Sequence, residues 1–443
     1  AGRGAPGRQR WVRLTVAALL PLLVAGQALT LAVPYWPRVD RDTFYPMTDT
    51  HRFLAEHLGH ERFAGSSAGM YVGADSGARL RALSGHFFLN GRFAETIDGL
   101  PGQQFGDPPT YVNFPAEPAV VRQPVLDRLA VRYFVVSPGV APFGEQRVEQ
   151  GDASTATLRP GTPLRVRVPG EGGAVRGIGL VLAAPFRTDP HTRVDLALYD
   201  DQGNRLASSR RLLYDLGAGE PFWIPVAGEN IPDHELLTAE LTLHADTPLS
   251  VAGVEGRPAV STVLPADDGM LLAYAGSAVV YQRLTALPRI HWASRTVYES
   301  DPRRRVELVA SGELAPDQVL LDEPAGGSDG APAAVRVVRD DTDQIEVTVD
   351  AAGAGHLVIA DALQQDWAAS VDGRPARLVP ADHGLVAVAV PQGRHTVRVA
   401  YQLPYGGLGS WVSGLTVVLV FVLLGAGWWI RRGSGQLAEN SAG

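Results

Sequence analysis

Two long apolar runs lie near the ends of the chain, and between them apolar and polar residues alternate in many short segments. The second run covers residues 408–430, with Trp411 near its start and Trp428 near its end. A bilayer core requires roughly 20 consecutive apolar residues, and tryptophan is enriched at membrane interfaces. The pattern predicts a transmembrane helix over 408–430 and an arginine-led cytoplasmic tail over 431–443.

The first apolar run covers residues 11–33, and four arginines lie before it or at its start: Arg3, Arg8, Arg10 and Arg13. Basic residues and the small residues at 28–32 would also suit a cleaved signal peptide, but the apolar core of such a peptide has only about 7 to 15 residues. We therefore expect a second transmembrane helix. Because arginine-rich flanks stay inside, both termini are predicted to be cytoplasmic and the region between them extracytoplasmic. The chain begins at Ala1 without methionine, and we expect it to be a fragment.

Residues 44–145 have the pattern of a mixed α/β domain. Thr48 or Asp49 can cap a short amphipathic helix. Residues 131–136 form a β-branched and aromatic run that is typical of a strand. The stretch over 85–118 is rich in glycine, proline and asparagine, so we predict an irregular surface loop there.

Short alternating strands separated by turns dominate the remainder. Over 150–265 their even spacing predicts an antiparallel β-sandwich of the kind that often binds carbohydrate. Residues 266–333 are less regular and are interpreted as a connector, and 334–403 as a small β module with one buried face. The predicted fold class is α+β, mainly β, with two transmembrane helices flanking a mixed α/β region and two β-sandwich-like modules.

Composition excludes several kinds of chemistry. The 443 residues include no cysteine, and all 39 basic side chains are arginine. Disulfides, thiolate nucleophiles, Schiff-base lysines and the lysine of a phosphate-binding loop are therefore excluded. The formal charge of −8 and the scattered arginines argue against a nucleic-acid partner, which needs a basic stripe.

Three segments in a fixed order carry a resemblance to a known family. They are residues 126–136 (LDRLAVRYFVV), 279–294 (VVYQRLTALPRIHWAS) and 357–402, and the last apolar run follows them. This order resembles the extracytoplasmic C-terminal half of the YfhO-like bacterial membrane proteins, which are similar to GT-C glycosyltransferases. The Val-Asp-Gly hairpin at 371–373 matches the family pattern, whereas Asp366 replaces the usual glycine before tryptophan.

The resemblance implies a function for a larger protein. GT-C enzymes use a polyprenyl-phosphate sugar as donor, and their catalytic acid lies in the first outside loop of an N-terminal helix bundle. No residue here matches that acid, so the resemblance implies no catalytic residue, no cofactor and no activity for this chain alone. Its implied partners are the lipid bilayer and, through the missing bundle, a cell-envelope glycan or the sugar lipid. The alternative is a non-catalytic membrane-anchored envelope module that binds glycan or a partner protein.

The segment 65–69 matches the G-x-S-x-G nucleophile elbow, with Ser67 at the nucleophile position. An α/β-hydrolase would place an apolar helix after the elbow, and the residues that follow are interrupted by glycine and serine. We therefore interpret the segment as a Gly/Ser-rich turn. The esterase alternative would require Ser67 to be catalytic.

Histidines and aspartates suggest metal sites that their spacing does not support. His51, His57 and His60 lie near carboxylates, but helical zinc ligands prefer i, i+4 spacing, so we expect a solvated polar face. The acidic pair 200–201 and the acidic cluster 340–343 could supply calcium ligands. Aspartate-rich turns are common without metal, so no metal site is predicted.

Three tryptophans could stack on a sugar ring: Trp223, Trp292 and Trp367. Of these, Trp223 and Trp367 are the candidate ligand-binding residues. The competing interpretation is that each ring is core, because a buried tryptophan removes a large apolar area from water.

Overall fold

The chain forms two compact units, residues 1–48 and 49–443. Strands make up 40% of the structure and helices 22%, which confirms the predicted α+β, mainly β class. The computed structural model describes residues 6–35, 39–44, 46–66, 69–70, 74–86, 90–102, 111–168, 175–187, 191–213, 216–227, 237–362 and 365–439.

The described elements are numbered in chain order. The helices are α1 (Pro6–Tyr35), α2 (Arg41–Phe44), α3 (Asp49–His57), α4 (Ala74–Gly77), α5 (Gly91–Asp98), α6 (Pro118–Val121), α7 (Pro124–Arg128), α8 (Pro302–Ser311) and α9 (Gly406–Glu439). The strands are β1 (Arg62–Gly65), β2 (Gly85–His86), β3 (Tyr111–Val112), β4 (Val131–Val136), β5 (Glu145–Arg147), β6 (Thr155–Leu158), β7 (Leu164–Val168), β8 (Gly177–Val181), β9 (Arg193–Tyr199), β10 (Arg205–Leu212), β11 (Pro221–Pro225), β12 (Leu237–His244), β13 (Leu249–Val254), β14 (Arg257–Pro258), β15 (Ser261–Leu264), β16 (Met270–Ala275), β17 (Val279–Arg283), β18 (Ile290–Ala293), β19 (Arg295–Tyr298), β20 (Gln318–Leu321), β21 (Ala333–Asp340), β22 (Gln344–Ala351), β23 (Gly355–Ile359), β24 (Trp367–Val371), β25 (Arg374–Ala376), β26 (Leu378–Ala381), β27 (Leu385–Val390) and β28 (Gly393–Tyr401).

The first domain is built on a four-stranded mixed sheet with the order β1-β4-β17-β16. β1 runs parallel to β4, and β17 and β16 extend the sheet in the antiparallel direction. All of β1 is buried and so is most of β4, as expected for strands covered on both faces. The strand predicted at 131–136 is confirmed. The segment 266–333, predicted as a connector, supplies two strands of this sheet instead of a separate link.

Helix α5 lies inside the stretch predicted to be an irregular loop, so that prediction is wrong for these residues. Asn90 caps the helix, because its side-chain oxygen accepts a hydrogen bond from the Arg92 backbone nitrogen at 2.9 Å. Phe93 and Ile97 then face the core on successive turns. A helix of this length is held by its cap and its buried face, which composition alone does not reveal.

The second domain is a β-sandwich with its own core. One sheet has the order β10-β9-β12-β7, and the facing strands form the sheets β11-β8-β15-β5 and β14-β13-β6. Buried and half-buried positions alternate strictly along β9 and β12. This period of two places every second side chain in the core and leaves the other face to solvent.

The C-terminal module packs two further sheets against each other. The six-stranded sheet has the order β18-β23-β27-β26-β20-β19, and the five-stranded sheet has the order β21-β22-β28-β24-β25. Apolar residues from both sheets, including Val347, Leu357 and Val388, form the core between them. β18, β19 and β20 come from the segment predicted as a connector, so this segment also completes the last module.

Helix α9 leaves the C-terminal module and contains an apolar segment over Gly406–Gly427. Its 22 residues have a mean hydropathy of 2.1, and none of the segment is buried in the protein. Leu415 and Phe421 are 66% and 69% exposed. Exposed apolar residues over this length fit a bilayer span, so this helix indicates membrane association.

The unit formed by residues 1–48 contains α1 and α2. Within the described residues, the apolar part of α1 is the shorter segment Pro21–Tyr35, and α9 is the one helix long and apolar enough to cross a membrane. A helix over 11–33 is confirmed, because α1 contains this range. Its role as a second span stays a prediction.

Candidate functional site at the helix end of the C-terminal module

The end of the five-stranded sheet from which α9 leaves is called here the helix end of the module. β28 stops at Tyr401, whose backbone nitrogen donates to the Asp343 carbonyl oxygen at 2.9 Å. Tyr405 then adopts a φ of 56°, a left-handed conformation that L-residues disfavour, immediately before α9. The short connection between sheet and helix is therefore held by defined backbone geometry.

Aromatic side chains gather at the helix end. Trp367 is the direct partner of Tyr401 across β24 and β28, and their ring centroids are 6.0 Å apart. Tyr401, Tyr405 and Trp411 are 40%, 83% and 75% exposed. Such rings favour the headgroup level of a bilayer, where one end is apolar and the other is wet. The structure thus places Trp367, a candidate for sugar stacking, opposite the last residue of the strand that precedes the apolar helix, and the sugar contact stays a prediction.

A buried arginine network lies at the same end of the module. Arg289 is 2% exposed in its side chain and pairs with both Asp340 and Asp361. Arg62 shares Asp361, and Arg81 shares Asp340 at 2.8 Å. Arg62 and Arg81 belong to the first domain, whereas both aspartates belong to the C-terminal module. The network therefore fastens the domain to the module.

His60 and Glu61 complete the arginine network. The His60 ring lies 2.8 Å from Asp340, and the His60 carbonyl oxygen accepts from Arg289 Nε at 2.8 Å. Glu61 accepts from the Arg289 backbone nitrogen at 2.9 Å. Burial is the largest single influence and opposes ionisation of Asp340, but the hydrogen bond and charge of Arg289, together with Arg81 and His60, outweigh it and hold the pKa of Asp340 below its ordinary value. Asp340 is thus a charged structural partner.

The predicted histidine cluster is only partly assembled. Among the described residues, no group of three histidine or acidic side chains could hold a metal ion. His57 bonds to the Phe53 carbonyl oxygen at 2.8 Å and stacks on the Phe53 ring, whereas His60 pairs with Asp340. The expectation of a solvated face is wrong for His51, which is 3% exposed because α3 packs that side against the sheet.

The acidic pair at 200–201, a candidate for calcium binding, forms a turn. Asp200 Oδ1 accepts from the backbone nitrogens of Gln202 and Asn204 at 3.0 and 2.6 Å, and Oδ2 accepts from the Asn204 side chain at 2.9 Å. These bonds occupy the carboxylate that calcium would need. The aspartate therefore shapes the loop between β9 and β10.

Ser67 lies outside the described residues, but the glycines of its motif do not. A Cβ on Gly65 would meet the Val135 carbonyl oxygen at 2.4 Å, and a Cβ on Gly69 would meet Val136 at 2.8 Å. Both glycines are thus required by close packing against β4. This packing accounts for the glycine spacing without a nucleophile elbow.

Trp223 and Trp292 each cover a glycine. Trp223 is 7% exposed, and a Cβ on Gly179 would meet its ring at 2.6 Å. Trp292 covers Gly355 in the same way, and its indole nitrogen donates to the Ala331 carbonyl oxygen at 2.9 Å. The observed burial favours a core role for Trp223, and sugar stacking there stays a prediction.

Sequence reasoning missed a second buried polar cluster, at the hairpin between β26 and β27. Asp382 and His383 adopt φ values of 43° and 66°, and both are buried. Arg128 donates to Asp382 at 3.0 Å, and the His383 ring lies 2.6 Å from a Glu95 oxygen. Burial lowers the pKa of His383. A histidine and an aspartate beside glycine would ordinarily indicate an exposed turn, so only long-range packing reveals this cluster.

Comparison with known proteins identifies no family. No family model matches the chain, and no curated protein matches it.

Three solved structures of the arabinofuranosyltransferase AftD from Mycobacteria are similar to parts of the chain. Two classes of a mutant are 12% and 13% identical with TM-scores of 0.16 and 0.17, and they cover 56% and 66% of this chain. A third structure is 12% identical with a TM-score of 0.16 and covers 67% of it. The alignments span only 14% to 29% of the AftD chains. TM-scores this low establish neither a shared fold nor a shared activity.

Proposed function

We propose that this chain is the extracytoplasmic, membrane-anchored part of a GT-C-like bacterial glycosyltransferase of the YfhO-like kind. In this role the chain is a rigid, non-catalytic platform that holds its β modules over the membrane surface. The observation that carries the proposal is the helix end, where a folded β module passes within a few residues into an exposed apolar helix. The ordered motifs over 126–402 support the family.

The arginine network supports the platform role. A platform must keep its domains in fixed positions relative to the anchor, and the network ties the first domain to the module that bears α9. The pair between Arg289 and Asp340 is shielded from water, whereas Asp361 is partly exposed, so loss of Arg289 would leave Asp340 with less compensation for its buried charge and is disfavoured.

The same network argues against catalysis at this site. Transfer of a sugar to a hydroxyl group needs a carboxylate that is free to accept a proton. At the helix end, Asp340 and Asp361 are both engaged in ion pairs with arginines, and for Asp340 these arginines hold the pKa below its ordinary value, which makes it a weaker base. The catalytic acid of the proposed enzyme therefore belongs elsewhere.

Cysteine labelling tests the orientation, since the natural sequence has no cysteine to interfere. In intact cells, a membrane-impermeant maleimide should label an Arg374→Cys variant, which carries the thiol on the β module. A Ser434→Cys variant should react only after the cells are permeabilised. Labelling of Ser434→Cys alone in intact cells would overturn the proposed orientation.

The coding sequence upstream of Ala1 tests the enzyme class. Under the proposal it should encode further apolar spans with an acidic residue in the first outside loop. A start codon directly before Ala1 would instead support the alternative, a non-catalytic envelope module. Sugar transfer from a polyprenyl-phosphate donor by the purified chain alone would contradict the non-catalytic role.

A further inference from the structure

One face of the β-sandwich concentrates positive charge. In the sheet β10-β9-β12-β7, residues directly opposite each other share a face, and alternate residues of β9 and β12 point away from the core. This outward face, called the arginine face, carries five arginines: Arg165, Arg167, Arg193, Arg205 and Arg210.

Two carboxylates neutralise only part of this charge. Glu240 pairs with Arg165 at 2.7 Å, and Asp195 pairs with Arg210 at 3.0 Å. Arg193 approaches Asp195 as well, at 3.4 Å. The face therefore keeps a positive excess, although the whole chain has a formal charge of −8.

Two arginines of the face remain available to a ligand. Arg167 and Arg205 are exposed, and the described part of the chain gives neither of them an ion-pair partner. They lie in one row across the sheet, because Arg205 is opposite Tyr199, Tyr199 is opposite Thr238, and Thr238 is opposite Arg167. Neighbouring strands are about 4.8 Å apart, so the two arginines flank a strip three strand spacings wide.

Tyr199 lies between these arginines and offers an aromatic surface. Its ring is half-buried, and the Arg165 guanidinium lies over one face of the ring, 5.7 Å from the centroid, so a sugar would contact the remaining part of the ring. In the next row Ala197 lies opposite Ser208, so small side chains form the floor beside the ring. An aromatic face beside a shallow floor suits the flat apolar side of a sugar, and guanidinium groups pair well with carboxylates.

We infer that the arginine face binds an acidic polysaccharide, with Tyr199 contacting a sugar ring and Arg167 and Arg205 pairing with its carboxylates. Charge complementarity selects an anionic ligand. The choice of glycan over nucleic acid rests on the proposed extracytoplasmic location. A lipid surface suits the face poorly, because none of the strongly exposed large apolar side chains of the described chain lies on it.

The experiment uses the full chain in phosphatidylcholine nanodiscs and measures binding of polygalacturonate by interferometry. The test variant carries Arg167→Glu and Arg205→Glu, and its matched control carries Arg336→Glu and Arg374→Glu, two exposed strand arginines of the C-terminal module. At about 0.05 M salt the test variant should lose at least about tenfold in affinity, because it replaces attraction with repulsion at two unpaired sites. The control should bind as the natural chain does.

A Tyr199→Leu variant separates sugar recognition from simple charge attraction. It should weaken polygalacturonate binding and leave binding of inorganic polyphosphate unchanged. The inference fails if the control pair loses as much affinity as the test pair, if neutral dextran binds as tightly as polygalacturonate, or if duplex DNA binds more tightly. None of these outcomes affects the proposed function, which the labelling and upstream sequence test separately.

Discussion

At the residue scale, glycine and arginine have positions in this protein that their neighbours in sequence do not explain. Gly179 and Gly355 are glycines because a tryptophan ring lies directly on each of them. Arg289 is almost completely buried, in a chain where most arginines are at the surface. Both facts depend on residues far away in the sequence, so sequence reasoning could identify the tryptophans as notable but could not assign their partners.

Replacing Arg289 should destabilise the protein strongly. In an Arg289→Met variant, the buried Asp340 and the partly exposed Asp361 lose their shared partner; breaking a fully buried ion pair costs about 3–5 kcal/mol, and this is the upper limit here because Arg81 and Arg62 still face the two carboxylates. Thermal unfolding in nanodiscs and limited proteolysis measure the loss. The matched variant Arg336→Met removes an exposed arginine and should change stability by less than about 0.5 kcal/mol. Equal melting temperatures for the two variants would show that the network is not structural.

At the element scale, local signals identified strands better than they identified sheets. The turn at 371–373 is a hairpin with Asp372 and Gly373 at φ values of 52° and 75°, as the Val-Asp-Gly sequence predicts. The segment 266–333 was predicted as a connector, yet its strands complete two sheets. Strand propensity is local, whereas pairing depends on which strands fold next to each other.

Charge introduced into α9 tests its membrane role. In a chain that begins at Asp49, so that α1 cannot anchor it, a variant with Leu415→Arg and Leu419→Arg should fail to remain in carbonate-washed membranes, because each arginine at the centre of a span costs about 2.5–3.5 kcal/mol. The control variant, Leu284→Arg with Val338→Arg, changes two apolar residues outside α9 that are similarly exposed, at 58% and 55%. It should stay in the membrane fraction. Retention of both variants would contradict a spanning helix.

At the scale of the whole molecule, buried histidines make the stability of the folded state depend on pH. Burial lowers the pKa of four of them below the ordinary value of 6.5: His51, His291, His356 and His383. For His383 the carboxylate of Glu95 opposes this effect, and nearby Arg305 and Arg92 reinforce it. The unfolded chain therefore takes up protons on these rings at a higher pH than the folded chain does.

Stability should consequently fall as the pH drops below about 6.5, where the unfolded state binds more protons. Melting temperatures between about pH 7.5 and 5.5 measure the slope. A His383→Asn variant should flatten this slope, since asparagine tolerates the positive φ and does not titrate.

His395 affects stability in the opposite direction. Its hydrogen bond with Asp372 raises its pKa, so its small stabilising contribution is present at low pH and is lost above its folded pKa. His395→Gln should therefore steepen the slope, and a slope that neither variant changes would contradict this account.

The sequence by itself determined the fold class, the strand-rich middle, the apolar helix at 408–430 and the absence of cysteine and lysine chemistry. These features follow from composition and short-range periodicity, which the chain carries in any conformation. Only the tertiary structure decided that Trp367 pairs with Tyr401 at the end of the sheet, that Trp223 covers a glycine, and that the arginines of β7, β9 and β10 share one face. Sheet register and domain packing bring together residues that are distant in the sequence, such as Arg167 and Arg205 or Gly179 and Trp223, and no local pattern encodes those distances.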